Sequence, residues 1–158
     1  MADSFSVTLY QTQLRAATRE LHRCNEVSQR YGLALTDTQI LSLVQARFEA
    51  LQTAGRMELG ESLLPRLVYA FCDSPYINQS DYLATLMALQ ELFYTFKNEC
   101  DDTLTDDELI EALKNAYNKK AHGSLEYLEN MTVSDLYHAL TGVEDEEEEA
   151  GYFDDGEL

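Results

Sequence analysis

Residues 79–98 read QSDYLATLMALQELFYTFKN, and this stretch decides the fold. Wound at about 100° per residue, Leu83, Leu86, Met87, Leu89, Leu92, Phe93, Tyr94 and Phe96 cover well over half of the circumference. Ala84, Ala88, Glu91 and Thr95 remain as a narrow strip. A helix apolar over most of its surface has to be buried. The pattern therefore predicts a central helix over about 79–98 with other helices packed around it.

Working outward, the flanking segments repeat the helical period and nearly lack the strand period. Phe5, Val7 and Leu9 alternate as a short strand would, but Tyr10, Leu14, Ala17, Leu21, Cys24 and Tyr31 follow three- and four-residue spacings. One helix is expected to run to about Arg30 and to stop at Gly32. Thr36-Asp37-Thr38-Gln39 fits a capping box, in which the threonine oxygen takes the third amide and the glutamine returns to the threonine amide. Ile40, Leu41, Val44, Phe48 and Leu51 then form the expected apolar face, with Gly55 as the stop. A third helix is expected from about Glu61, with Pro65 tolerated in its first turn and Ser74-Pro75 as its break.

Beyond the central segment, Thr105-Asp106-Asp107-Glu108 is a second capping box, leading into Ile110, Leu113 and Tyr117. Two short helices are expected near 124–130 and 132–141. The fold class is therefore all-α, a single compact bundle of about six or seven helices. Ala34-Leu35-Thr36-Asp37 partly echoes Thr103-Leu104-Thr105-Asp106, an echo that capping chemistry alone produces.

Charge divides the chain. Residues 1–56 carry six arginines against five acids, while the remainder carries five basic residues against twenty-four acids, so a net of +1 is joined to a net of −19. Such asymmetry concerns partners and self-interaction. From Glu144 the composition changes again, with nine acids and no basic residue in the last fifteen positions. Like charges at that density favour disorder, which divides the chain into a helical domain over 1–143 and an acidic tail over 144–158. A surface this acidic repels nucleic acid phosphates and anionic membranes over most of its area. No window approaches the ~20 apolar residues of a membrane span, and residues 1–10 have neither the basic nor the apolar part of a signal peptide. Cytoplasm is the expected compartment. Cys24, Cys72 and Cys100 lack paired spacing and fall in or beside apolar runs, as buried reduced thiols do.

Motifs for catalysis and metals do not materialise. Aligning Leu104 and Glu108 to the eighth and twelfth positions of a calcium-binding loop puts Lys97 where an oxygen ligand is needed and Asp102 where a glycine is needed. His22, His122 and His138 are scattered, and only Asp135-Leu136-Tyr137-His138 approaches a di-iron pattern. No nucleophile elbow, phosphate loop or dinucleotide fingerprint is present. No metal or cofactor is expected.

Two surfaces stand out as partner-binding candidates. With Arg15 at 0°, Arg19, Arg23 and Arg30 fall at about 40°, 80° and 60°, opposite Leu14, Ala17, Leu21 and Cys24. These arginines are solvated and available to an anion, with Glu26 beside them at i, i+4 to Arg30. In the tail, Tyr152 and Phe153 sit within acids, an arrangement in which charge steers an encounter and the aromatics anchor it. A second candidate set, Glu58, Glu61, Asp73 and Tyr76, would line a cleft as acid and base in a small-ligand or metal-dependent enzyme.

Gly55-Arg56-Met57-Glu58-Leu59-Gly60, Phe71-Cys72-Asp73-Ser74-Pro75-Tyr76, Phe93-Tyr94-Thr95-Phe96-Lys97-Asn98-Glu99 and Gly123-Ser124-Leu125-Glu126-Tyr127-Leu128 together resemble a bacterial family of small uncharacterised proteins. The resemblance covers roughly residues 10–140 and leaves out the acidic tail. It implies a bacterial, cytoplasmic protein and carries no activity. The expected function is a non-enzymatic interaction or regulatory module whose partner is another protein. Alternatives are the enzyme around residues 58–76 and nucleic acid mimicry by spaced carboxylates.

Overall fold

The computed structural model describes residues 2–58 and 62–141, with backbone only for residues 2–10. The acidic tail, with Tyr152 and Phe153, and Glu61 of the candidate cleft lie outside the described residues. Among those described, the protein is all-α: α1 (Ala2–Ser28), α2 (Asp37–Ala54), α3 (Leu63–Phe71), α4 (Tyr82–Glu99), α5 (Asp106–Asn115), α6 (Leu125–Glu129) and α7 (Val133–Thr141). The alternation at Phe5, Val7 and Leu9 is absorbed into α1, whose backbone is helical from Ala2. Contacts concentrate in two compact units, Met1–Tyr94 and Thr95–Leu158, with the division inside α4.

In the first unit α1 packs on α2 and α3. The faces follow the helical period: Ala17, Leu21 and Cys24 from α1, Ile40, Leu43, Val44 and Leu51 from α2, and Leu63, Leu64, Leu67, Val68 and Phe71 from α3 are buried. Each fully buried leucine stabilises the unit by about 2 kcal/mol. The sequence pattern is off by one turn position on α2, where Leu41 is 44 % exposed and Leu43 takes the core position instead. Both α2 termini are as read. Thr36 Oγ1 accepts the Gln39 amide at 3.1 Å while Gln39 Oε1 accepts the Thr36 amide at 2.9 Å, and Gly55 closes the helix at φ 68°. Pro65 is the third residue of α3, where a missing N–H leaves no intrahelical bond unmade.

The turn between α1 and α2 is held by two side-chain amides acting as surrogate backbone. Asn25 exchanges both of its hydrogen bonds with Leu35, each at 2.9 Å, and Gln79 exchanges both of its own with Ala34, each at 2.8 Å. The backbone of Ala34 and Leu35 belongs to no helix or strand that would satisfy its polar groups, and the two amides do so. The entry angle of α2 against α1 follows from that grip.

On α4 the exposed strip is the one read from the sequence: Ala84, Glu91 and Thr95 are exposed and Ala88 half-buried, while Tyr82, Leu86, Leu89 and Phe93 are buried. In the second unit α5 packs on α7, burying Leu109, Ile110 and Leu113 with Leu136 and Ala139. Asn115 Nδ2 donates to the Ala139 carbonyl at 3.1 Å. The second capping box opens α5, and the carboxylate of Glu108 is held below its usual range by the Thr105 amide it accepts from. After Asn115 the chain widens into a five-residue π-helical turn, Ala116–Lys120.

Candidate functional site

The arginines of α1 stand on its solvent side because the buried side is claimed by Ala17, Leu21 and Cys24. Arg15, Arg19, Arg23 and Arg30 are all exposed, and among the described residues no ion pair holds any of them. The stripe is shorter than its spacing suggested. The α-helix ends at Ser28, and Arg30 lies on the following 3-10 turn, Gln29–Tyr31, which Gly32 closes at φ 82°. The expected Glu26–Arg30 pair is not formed, since the change of helical geometry removes the i, i+4 alignment.

Arg15 and Arg19 meet a feature the sequence reading did not contain. Between α1 and α2 lies an open groove of about 440 Å³, lined by Leu14, Arg15, Thr18, Arg19 and His22 of α1 and by Leu41 of α2. Leu41 is on this surface because the core took Leu43, and the amide grip on Ala34 and Leu35 sets α2 beside α1 at this point. Thr18 Oγ1 donates back to the Leu14 carbonyl at 2.7 Å. At one edge His22 Nε2 approaches Asp37 Oδ1 at 3.4 Å, with side chains 46 % and 89 % exposed, an interaction that solvent screens almost entirely. The groove thus combines one exposed leucine, Leu41, and one half-buried leucine, Leu14, with two solvated guanidinium groups. Chemically, such a surface can take a carboxylate-bearing chain segment with an apolar side chain at its centre.

Of the carboxylate set near residues 58–76, the structure describes Glu58, Asp73 and Tyr76. Glu58 Oε1 accepts from Arg47 Nε at 2.7 Å, with the two side chains 12 % and 11 % exposed, and Glu58 Oε2 accepts from the Tyr94 hydroxyl at 2.7 Å. Burial, reinforced by the adjacent carboxylate, pushes the Tyr94 hydroxyl well above the usual tyrosine range. Both oxygens of Glu58 are therefore engaged in tying α2 and α4 to the segment after Gly55. Asp73 and Tyr76 are exposed on the turn that follows α3.

Arg47 and Tyr94 were missed by sequence reasoning, although a signal existed. Arg47 stands three residues after Val44 and four before Leu51, on the buried stripe of α2, and a guanidinium there requires a carboxylate. Lys97 is a parallel case. It is off the exposed strip of α4, 8 % exposed, and its Nζ donates to the Leu104 carbonyl at 2.6 Å and to Asp106 Oδ1 at 2.8 Å. In the segment compared above with a calcium loop, the positive charge is this ammonium. The three thiols are buried and free, and burial raises Cys24 above its ordinary value despite a hydrogen bond with Tyr69. Among the described residues no group of three His, Cys, Asp or Glu side chains is placed to hold a metal ion, and no helix is long and apolar enough to cross a membrane.

Fold and site together define an all-helical protein that carries an arginine-bordered apolar groove between two helices. The chain belongs to the family of unknown function DUF6323, whose pattern it matches over residues 20–145. No curated protein and no solved structure matches it.

Proposed function

We propose that the protein is a non-enzymatic interaction module that holds an acidic segment of another protein in the groove between α1 and α2. One observation carries the reading: two exposed arginines, Arg15 and Arg19, flank the same concavity that Leu14 and Leu41 line. In this reading an apolar or aromatic side chain of the partner lies between the leucines while neighbouring carboxylates meet the guanidinium groups. Buried apolar surface supplies about 1.5–3 kcal/mol for one anchor, and each solvated ion pair adds about 0.2–1 kcal/mol. A single site of this kind is weak and readily reversible, as suits a regulatory contact. The setting proposed is the bacterial cytoplasm, which the family resemblance implies.

The test is fluorescence anisotropy with the full chain and a fluorescein-labelled acidic peptide that carries Tyr-Phe at its centre and whose sequence is foreign to this protein. The peptide is expected to bind, and to lose affinity by about tenfold or more on replacing its aromatics by alanine, on Arg15→Glu with Arg19→Glu, and on Leu41→Asp. Equal binding by folded groove variants, or no binding by the native chain, overturns the reading.

A further inference from the structure

We infer that, in the absence of another partner, the groove between α1 and α2 is occupied by the acidic aromatic segment 144–158 of a second copy of the chain. The inference rests on the reading of the groove just given and names its occupant. The argument is complementarity at two levels. The groove offers positive charge through Arg15 and Arg19, which line it and are exposed. Segment 144–158 holds nine acids and no basic residue. Within the groove, Leu14 and Leu41 provide an apolar patch, Leu41 being 44 % exposed, and Tyr152-Phe153 is the only adjacent pair of aromatics in that acidic segment. An anion-flanked aromatic is what this surface is chemically suited to receive.

The contact is heterologous: the groove of one copy meets a different segment of the next. Because it joins two copies, its occupancy rises with protein concentration. Occupancy from a second copy also leaves the groove open to displacement, as the proposed function requires, because a partner with better carboxylate placement competes against a weak intermolecular contact. Raised salt weakens the association by screening the arginines.

The experiment is sedimentation velocity on the full chain, on Arg15→Glu with Arg19→Glu, and on Tyr152→Ala with Phe153→Ala, each checked for native helicity by circular dichroism. The full chain is expected to self-associate with concentration and to do so less in high salt. Each double variant alone is expected to be monomeric. An equimolar mixture of the two variants is expected to form a heterodimer, because one retains the segment and the other retains the groove. Monomeric behaviour of the full chain, association that survives in either variant, or a mixture that stays monomeric overturns the inference.

A fluorescein-labelled peptide of residues 144–158 is titrated in parallel with the foreign acidic peptide. Tight binding of the 144–158 peptide by the Tyr152→Ala/Phe153→Ala variant, together with a full chain that is monomeric and binds the peptide poorly, assigns the groove to the chain's own segment and also overturns occupancy by a second copy. If the foreign peptide binds while the chain shows no self-association, the inference fails and the proposed function stands. If neither peptide binds, both fall.

Discussion

Replacing Glu58 by glutamine should be among the most costly single changes available to the first unit. The carboxylate accepts from Arg47 and from Tyr94 at 2.7 Å each, with Arg47 and Glu58 about nine-tenths buried. Tyr94 is 3 % exposed. Glutamine keeps the shape, but it removes the charge and turns an amide N–H₂ toward one of two donors. Removing one member of a buried ion pair costs about 3–5 kcal/mol when the other is left uncompensated. The residual exposure of Arg47 and the carbonyl that glutamine retains bring the expectation to about 3 kcal/mol. With a urea dependence of about 2 kcal/mol per molar, the unfolding midpoint should fall by about 1.5 M. Tyr94→Phe should cost about 1.5–2 kcal/mol, the value of one hydrogen bond to a charged group. The double variant should cost less than the sum of the two, because the second deletion removes a partner already lost. Urea unfolding followed by circular dichroism measures all three. A Glu58→Gln variant within about 0.5 kcal/mol of the native protein would refute the reasoning.

Other expectations concern single groups. Burial pushes Tyr82 up to about 12, with Ser28 opposing; because the unfolded chain ionises first, its contribution of the order of 3 kcal/mol is intact below about pH 10 and lost as pH rises to about 12. Tyr82→Phe should flatten that decline in stability, and an unchanged slope would show that Tyr82 is not its source. Lys97→Met should cost about 1–3 kcal/mol, chiefly by stranding the Leu104 carbonyl, since Asp106 is half exposed and its ion pair is screened. Hydrogen exchange should then quicken between Asp101 and Thr105, and unaltered exchange would argue against the role given to the ammonium.

What could be read from the sequence was whatever acts within a few residues. The exposed strip of α4 follows from period alone, both threonine boxes from their four residues, and the ends at Gly32 and Gly55 from the left-handed backbone that glycine adopts freely. What escaped depends on distant partners. Glu58 reads as a solvated acid until Tyr94, thirty-six positions away, is placed beside it. Gln79 reads as a helix-start residue until it is found paired with Ala34, forty-five positions away. The groove needed both kinds of information: the arginine spacing on α1 was legible, but the exposure of Leu41 was decided by competition with Leu43 for the core, which is settled by packing and not by period.

The two threonine boxes have a bearing on how the chain comes to fold. Each closes within four residues, between Thr36 and Gln39 and between Thr105 and Glu108, so neither waits for a distant contact. Helix initiation is the unfavourable step because several dihedrals are fixed before bonds repay them, and a box supplies two bonds at that moment. The first residues of α2 and α5 are thus marked early in the collapsing chain, in one case ahead of the helix that carries Leu41. That early marking fixes the phase of α2, so that a slip of two positions, which would bring Leu41 to the core place of Leu43 and erase the groove, is opposed before the core has formed.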